Sequence, residues 1–237
     1  MISSELKKFA KKASLAYSLS ASLAADAAYG PYADSFRNPP VLEKMLTEAK
    51  TISDAVEPCP ESSALQYASA LMELTRAYAL VGNLEMVEEL FQRLPDSPRS
   101  AELDFITAES AYAIGDLSLK RGFTEKALSV YREFFPSSLG SELIRLDLAA
   151  LLVDKFLEDG EPLKARELFL SYLPENGIEF FCRVHRSQEN YAREEFSKTL
   201  LKIARKIADH ARDAEDTGAL DMVSLKLKNL SNVSTRF

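Results

Sequence analysis

Two cysteines and two histidines are the side chains with which this chain could bind a transition metal. Cys182 and His185 have the Cys-x-x-His spacing of half a zinc site. A structural zinc site needs four ligands, and Cys59 and His210 lie far from this pair and from each other in the sequence. We therefore expect a core cysteine beside a surface histidine at this position, and neither a bound metal nor a cofactor.

Adjacent carboxylates are the candidates for acid–base catalysis. Glu88-Glu89 and Glu194-Glu195 are neighbours in sequence, so their side chains point in different directions on a helix and are badly placed to share one substrate. Neither histidine belongs to a recognisable nucleophile motif. We expect no enzymatic activity. An enzyme on a helical scaffold stays an alternative that requires two carboxylates to converge from different helices.

The net charge of the chain is unevenly distributed. The chain has 237 residues and a formal net charge of −7, of which residues 61 to 176, with 11 basic and 20 acidic side chains, carry −9. Residues 177 to 237 carry +2. An acidic central segment would repel a phosphate backbone, so a nucleic-acid partner is not expected. No apolar run approaches the ~20 residues that a membrane span needs.

The central segment repeats one pattern three times. Gly82, Gly122 and Gly160 each precede an apolar helix pattern that ends near a proline, and the glycines are 40 and 38 residues apart. A period in this range is typical of stacked helical hairpins, because one hairpin cannot bury its apolar face alone. In the second unit we expect two apolar faces, one on each helix: Phe105, Ala108, Ala111, Tyr112, Gly115 and Leu119, and then Ala127, Val130, Tyr131 and Phe134.

These residues resemble the tetratricopeptide repeat family. That family has a small residue within the first helix, a small residue at the turn, an alanine early in the second helix and an aromatic residue four positions later. The second unit matches at Gly115, Gly122, Ala127 and Tyr131, and the third matches at Gly160, Ala165 and Phe169. Departures from the family pattern are Thr75, Val87 and Val153, and the repeat here is longer than the family's period of 34 residues.

The ends of the chain are read as further helices. Residues 2 to 29 predict one helix, although the lysines before a small-residue segment superficially copy a signal peptide. Val41 to Val56 completes a diverged first hairpin. After Pro174 the period is lost, and helices are expected over about 188–213 and 219–230, separated at Thr217-Gly218. The first of these has a predicted apolar face at Tyr191, Phe196, Leu200, Ile203, Ile207 and Ala211. Basic residues on the first of these helices favour a solvated face with pairing between residues four apart: Arg193, Lys202, Arg205, Lys206 and Arg212.

The predicted fold is therefore an all-α, right-handed superhelix like that of tetratricopeptide proteins. Its parts are a diverged hairpin over residues 1–60, three hairpins over 61–176 and capping helices over 177–237. The resemblance implies that the first helix of each hairpin lines a concave groove. The residues expected in that groove are Met72, Arg76, Glu109, Tyr112, Asp116, Lys120, Asp147, Asp154 and Glu158.

Five carboxylates and two basic groups in this groove favour a basic or amphipathic peptide, with Met72 and Tyr112 as apolar anchors. We therefore expect a non-catalytic, cytoplasmic scaffold or adaptor that binds a protein or peptide. Alternatives are a secretion chaperone or peptide-sensing regulator, and a periplasmic assembly factor if the first 28 residues or so are cleaved. A homodimer through a terminal helix is a further alternative. Solvated charges on the inner face are the competing interpretation of the groove itself.

Overall fold

Every regular element in the described part of the chain is an α-helix. The computed structural model describes residues 4–28, 39–56, 63–95, 100–172 and 190–234, and these ranges contain ten helices and no strand. This confirms the predicted all-α class. The helices, numbered in chain order, are α1 Ser4–Ala28, α2 Pro39–Val56, α3 Ala64–Leu80, α4 Leu84–Gln92, α5 Ala101–Lys120, α6 Thr124–Glu133, α7 Leu139–Glu158, α8 Pro162–Ser171, α9 Asn190–Asp213 and α10 Thr217–Ser234.

The chain divides into two compact units, residues 1–118 and 119–237. The first unit holds α1 to α4 and nearly all of α5, and the second holds α6 to α10. Below, α1, α3, α5, α7 and α9 are called first helices and the others second helices. The predicted boundaries at residues 60 and 176 stay a prediction.

The same three-residue turn follows α3, α5 and α7. Its middle residue is Gly82, Gly122 or Gly160, with φ of 79°, 79° and 74°. Glycine adopts this left-handed conformation without the steric cost that other residues meet. The next backbone N–H then reaches five residues back, from Asn83 to the Tyr78 carbonyl at 2.9 Å and from Glu161 to the Phe156 carbonyl at 2.7 Å. This geometry satisfies carbonyls at the helix end and reverses the chain within three residues.

A fourth turn of this kind follows α9, although the sequence spacing had changed there. Glu215 takes the glycine position with φ of 56°, and the Asp216 N–H reaches the Ala211 carbonyl at 2.7 Å. The turn therefore lies at residues 214–216 and not at the predicted Thr217-Gly218, because both of those residues already belong to α10. The two helices that were expected to be caps follow the same turn geometry as the repeats.

The core of the first unit is built around α1, which packs against α2 and α3. Its buried residues are spaced three or four positions apart, as expected for an amphipathic helix: Leu6, Phe9, Ala13 and Ala16. The Phe9 ring lies 5.8 Å from the ring of Tyr67 on α3, measured between centroids. The predicted N-terminal helix is thus present, and it is an integral part of this core.

In the second unit α7 is the central helix, in contact with α6, α8 and α9. Val153 is fully buried at the position where tetratricopeptide repeats have a small residue. The predicted apolar face of α9 is buried as expected wherever side chains are described, at Phe196, Leu200, Ile203, Ile207 and Ala211. Tyr191, also predicted on this face, lies outside the described side chains.

Two predicted core aromatics are exposed. Phe105 is 44% exposed and Phe134 is 36% exposed, so both predictions were wrong. Apolar and small residues occur on nearly every side of α5, so spacing alone did not identify its buried face. The larger side chains that α5 does bury are Leu103, Ile106, Ile114 and Leu117.

The turn geometry predicts opposite effects for two glycines whose added Cβ would meet no atom within 4 Å. Gly122→Ala should destabilise the chain by about 1 kcal/mol because alanine is strained at positive φ. Gly140→Ala, in helical backbone, should stabilise it by up to about 1 kcal/mol.

Glu215→Gly should stabilise the chain by about 0.5–1 kcal/mol, because glycine adopts the positive φ of this turn without strain. Urea titrations followed by circular dichroism measure all three, and a neutral Gly122→Ala would contradict the strain argument.

The α1 core predicts a large cost for Phe9→Ala. Removing this fully buried ring should lower the free energy of unfolding by about 3–5 kcal/mol, because a cavity remains between α1 and α3. Leu15→Ala is the matched control, since Leu15 is on the same helix but 44% exposed. It should cost less than about 0.5 kcal/mol. Equal losses in thermal or urea unfolding would show that α1 does not pack in this way.

Candidate functional site

The first unit joins its three first helices through one row of polar and aromatic side chains. Arg76 on α3 donates a hydrogen bond to Glu109 on α5, and both side chains are half-buried. On its other side the Arg76 guanidinium lies 5.8 Å from the ring centroid of Tyr17 on α1. We call Tyr17, Arg76 and Glu109 the first polar row. Two predicted groove residues therefore neutralise each other inside the chain.

Glu73 lies one helical turn before Arg76 and adds a carboxyl group to the same region. Burial raises the pKa of Glu73 above its usual value, while a hydrogen bond with Ser14 on α1 and the charge of Arg76 act to lower it. Burial is the strongest of these effects because it removes water from the charged form. This carboxyl was not predicted, since nothing in the sequence shows that α1 covers it.

The remaining predicted groove residues of α3 and α5 have different surroundings. Met72 is partly buried and packs against the core cluster of Ala68, Leu103 and Ile106. Tyr112 and Asp116 are half-buried on α5, and Lys120 is exposed at its end. Met72 is thus held mainly by the interior, and Tyr112 is the aromatic side chain of the predicted set that stays partly accessible.

The second unit has an equivalent row between α7 and α9. Lys206 donates to both carboxylate oxygens of Asp154, and these side chains are half-buried. Seven residues earlier on each helix, the Thr199 hydroxyl donates to Asp147 at 3.3 Å. We call these four residues the second polar row. Lys206 was expected on a solvated face, and it instead pairs with a different helix.

Glu158, the last predicted groove residue, is exposed near the end of α7. Its nearest described cation is Lys155, at 3.9 Å, and Lys155 lies closer to Asp159, at 2.6 Å. The pKa of Lys155 is raised, chiefly by its hydrogen bond to Asp159. Among the predicted groove carboxylates that have a described ion pair, Glu158 therefore has the longest and weakest one.

A second class of polar contacts lies at the ends of the second helices. Arg93, just after α4, donates to Asp54 at 2.7 Å and to the Tyr67 hydroxyl at 3.0 Å. In the second unit the Arg145 side chain donates to the Tyr131 carbonyl at 2.9 Å and lies 4.4 Å from the centroid of the Tyr131 ring. These contacts, most of them partly buried, bind neighbouring helices together.

Tyr172 belongs to the same interior region and is almost fully buried. Burial raises the pKa of its phenol well above the ordinary value, so it stays protonated at physiological pH. A neutral phenol can donate a hydrogen bond but cannot act as a base. The arrangement of Arg145, Tyr131 and Tyr172 therefore fits a structural role.

The sequence candidates for metal binding fall mostly outside the described part of the chain. Cys59, Cys182 and His185 all lie outside the described residues, and His210 is half-buried on α9. Among the residues that the structure describes, no group of three or more His, Cys, Asp or Glu side chains could hold a metal ion. None of the described helices is long and apolar enough to cross a membrane.

Comparison with known proteins gives no family assignment. No protein-family model, no curated protein and no solved structure matches the chain. Its function must therefore be argued from its own geometry.

The raised pKa of Glu73 predicts a pH-dependent effect of Glu73→Gln. At pH 7 the substitution should stabilise the chain, because folding no longer requires burial of an ionised carboxylate. Below the usual value of 4.5, Glu73 is protonated in both states, so the difference should vanish. Urea titrations at pH 7 and pH 3.5 measure this. A Gln variant that is less stable at pH 7 would contradict the assigned direction.

Proposed function

We propose that the chain is a non-catalytic protein-interaction module whose recognition surface lies on its first helices. The observation that carries the proposal is the pair of polar rows. Both consist of charged or hydroxyl side chains, half-buried except for the exposed Asp147, that link neighbouring first helices. Residues that only fill a core are apolar, whereas a peptide-binding surface needs fixed polar groups at defined positions.

The proposed architecture is a right-handed superhelix of hairpins, as in tetratricopeptide proteins. The four repeated turns support this proposal, since a fixed turn produces helical pairs of similar geometry that can stack. In such an array the first helices line the concave surface, which would receive the partner. A cytoplasmic location is part of the same proposal.

The proposed ligand is a basic or amphipathic segment of a protein. Arg76 and Lys206 already compensate Glu109 and Asp154, so these carboxylates act as positioned acceptors with little net negative charge. Asp116, Asp147 and Glu158 would supply the negative potential that attracts a basic partner. Tyr17 and Tyr112 are both half-buried and would supply aromatic contact area beside these groups.

The ion pairs determine how the proposal should be tested. A single charge reversal at Glu109 would place a lysine beside Arg76 and weaken the fold as well as the surface. The exchange Arg76→Glu with Glu109→Arg keeps an internal pair and inverts the pattern that a partner meets. The exchange Asp154→Lys with Lys206→Asp does the same in the second unit.

We expect an affinity capture from native lysate to recover a specific protein with the wild-type chain and to lose it with either exchanged variant. The physical reason is that a partner aligned with the wild-type charges meets like charges in the variant, which costs several kcal/mol for close contacts. Circular dichroism and urea titration must show that both variants remain folded. Asp116→Lys should weaken capture in the same direction.

Two outcomes would contradict the proposal. Equal recovery of the same protein by wild type and by both exchanged variants would place its binding site away from the first helices. Loss of capture by a variant with exchanged exposed charges on a second helix, such as Arg132→Glu with Glu133→Arg, would do the same.

A further inference from the structure

Helix α9 is the last of the first helices in chain order. One of its faces is exposed, and no helix of the described chain covers it. This face consists of Lys198, Leu201, Lys202 and Arg205. Leu201 and Lys202 are adjacent in sequence, and each of the other two residues lies three or four positions from them. We call these four residues the outer stripe. All four are exposed, and Leu201 is 53% exposed.

The outer stripe lies on the side of α9 opposite its buried apolar face. Thr199 and Lys206 make the contacts with α7 and lie seven residues apart, hence on one side of α9. Leu201 follows Thr199 by two residues, which rotates it by about 200° around the helix axis. The stripe is therefore the solvent side of α9, with Leu201 farthest from the α7 contacts and Lys202 nearest to them, and a further helix could pack on it.

The charges of the stripe are incompletely matched within the chain. Lys198 lies 3.5 Å from Glu195 on the same helix, and Arg212 lies 2.9 Å from Asp209 beyond the stripe. For Lys202 and Arg205, no carboxylate of the described residues lies within ion-pair distance. Two cations without a described carboxylate in range thus lie beside an exposed leucine, one and four residues after it.

The chain shows elsewhere how its first helices join. Arg76 on α3 pairs with Glu109 on α5, and Lys206 on α9 pairs with Asp154 on α7. In both cases a cation on one helix meets a carboxylate on its neighbour beside apolar packing. The outer stripe offers the cationic and apolar half of one more contact of this kind.

We propose that the outer stripe docks an acidic amphipathic helix of a partner protein. The partner helix would place two carboxylates one turn apart beside an apolar residue, which packs on Leu201 while the carboxylates bind Lys202 and Arg205. This surface is distinct from the proposed recognition surface on the polar rows, and either proposal can fail without the other.

The test uses a designed, fluorescently labelled helical peptide of about 20 residues, with glutamates flanking a row of leucines. A matched peptide replaces each glutamate with lysine. Fluorescence anisotropy with the full chain should show binding of the acidic peptide alone. Lys202→Glu with Arg205→Glu should weaken that binding by about tenfold or more, because both charge contacts become repulsive. Leu201→Ser should weaken it by a smaller factor.

The control is Lys7→Glu with Lys11→Glu, which reverses two exposed lysines on α1 in the first unit and should leave affinity unchanged. All substituted side chains are exposed, and circular dichroism checks that each variant is folded. The proposal is overturned if the acidic peptide does not bind, if the lysine peptide binds equally well, or if the α9 variant keeps wild-type affinity. Concentration-dependent self-association of the wild type that the α9 variant abolishes would make a second copy the occupant, which also overturns it.

Discussion

A left-handed backbone turn of three residues is the constraint on which the rest of this structure depends. At Gly82, Gly122, Gly160 and Glu215 the chain reverses within three residues, so a second helix follows each of these first helices directly. Antiparallel neighbours at this distance bury their apolar faces against one another, and that burial supplies most of the stability of each helix. At the fourth turn a non-glycine residue, Glu215, adopts the same positive φ in spite of its steric cost. The turn geometry is therefore kept even where the sequence offers no glycine.

Once apolar faces are buried, half-buried polar side chains determine how neighbouring first helices align. Arg76 with Glu109 and Lys206 with Asp154 each connect two first helices, and Tyr17 extends the first row to α1. Exposed ion pairs contribute little, a median of about 0–1 kcal/mol, but partial burial reduces their screening by solvent and salt. The same side chains are ordered acceptors and donors on a partly accessible surface. Ordered polar groups of this kind are what the proposed recognition of a protein partner requires.

The sequence was sufficient for local structure and insufficient for contacts between distant segments. Turn glycines and proline spacing predicted the helical pairs, and the apolar spacing of α9 predicted its buried face. The spacing of α5 did not, since apolar residues surround that helix and Phe105 was placed inside when it is exposed. The pairs Arg76–Glu109 and Asp154–Lys206 are 33 and 52 residues apart. No single repeat length connects the two partners of each pair, so the sequence did not reveal them. The predicted groove therefore contained carboxylates without assigned partners, and two of these, Glu109 and Asp154, are neutralised within the chain.

Site-specific photo-crosslinking is the most direct test of whether partners are recognised on the first helices. A photoreactive phenylalanine derivative would replace Tyr112 on α5 in one variant and Arg132 on the second helix α6 in another, and both would be irradiated in native lysate. If partners bind the first helices, a specific protein should crosslink at position 112 and not at position 132. Crosslinking of the same protein at position 132 alone would contradict it and place the interface on the second helices.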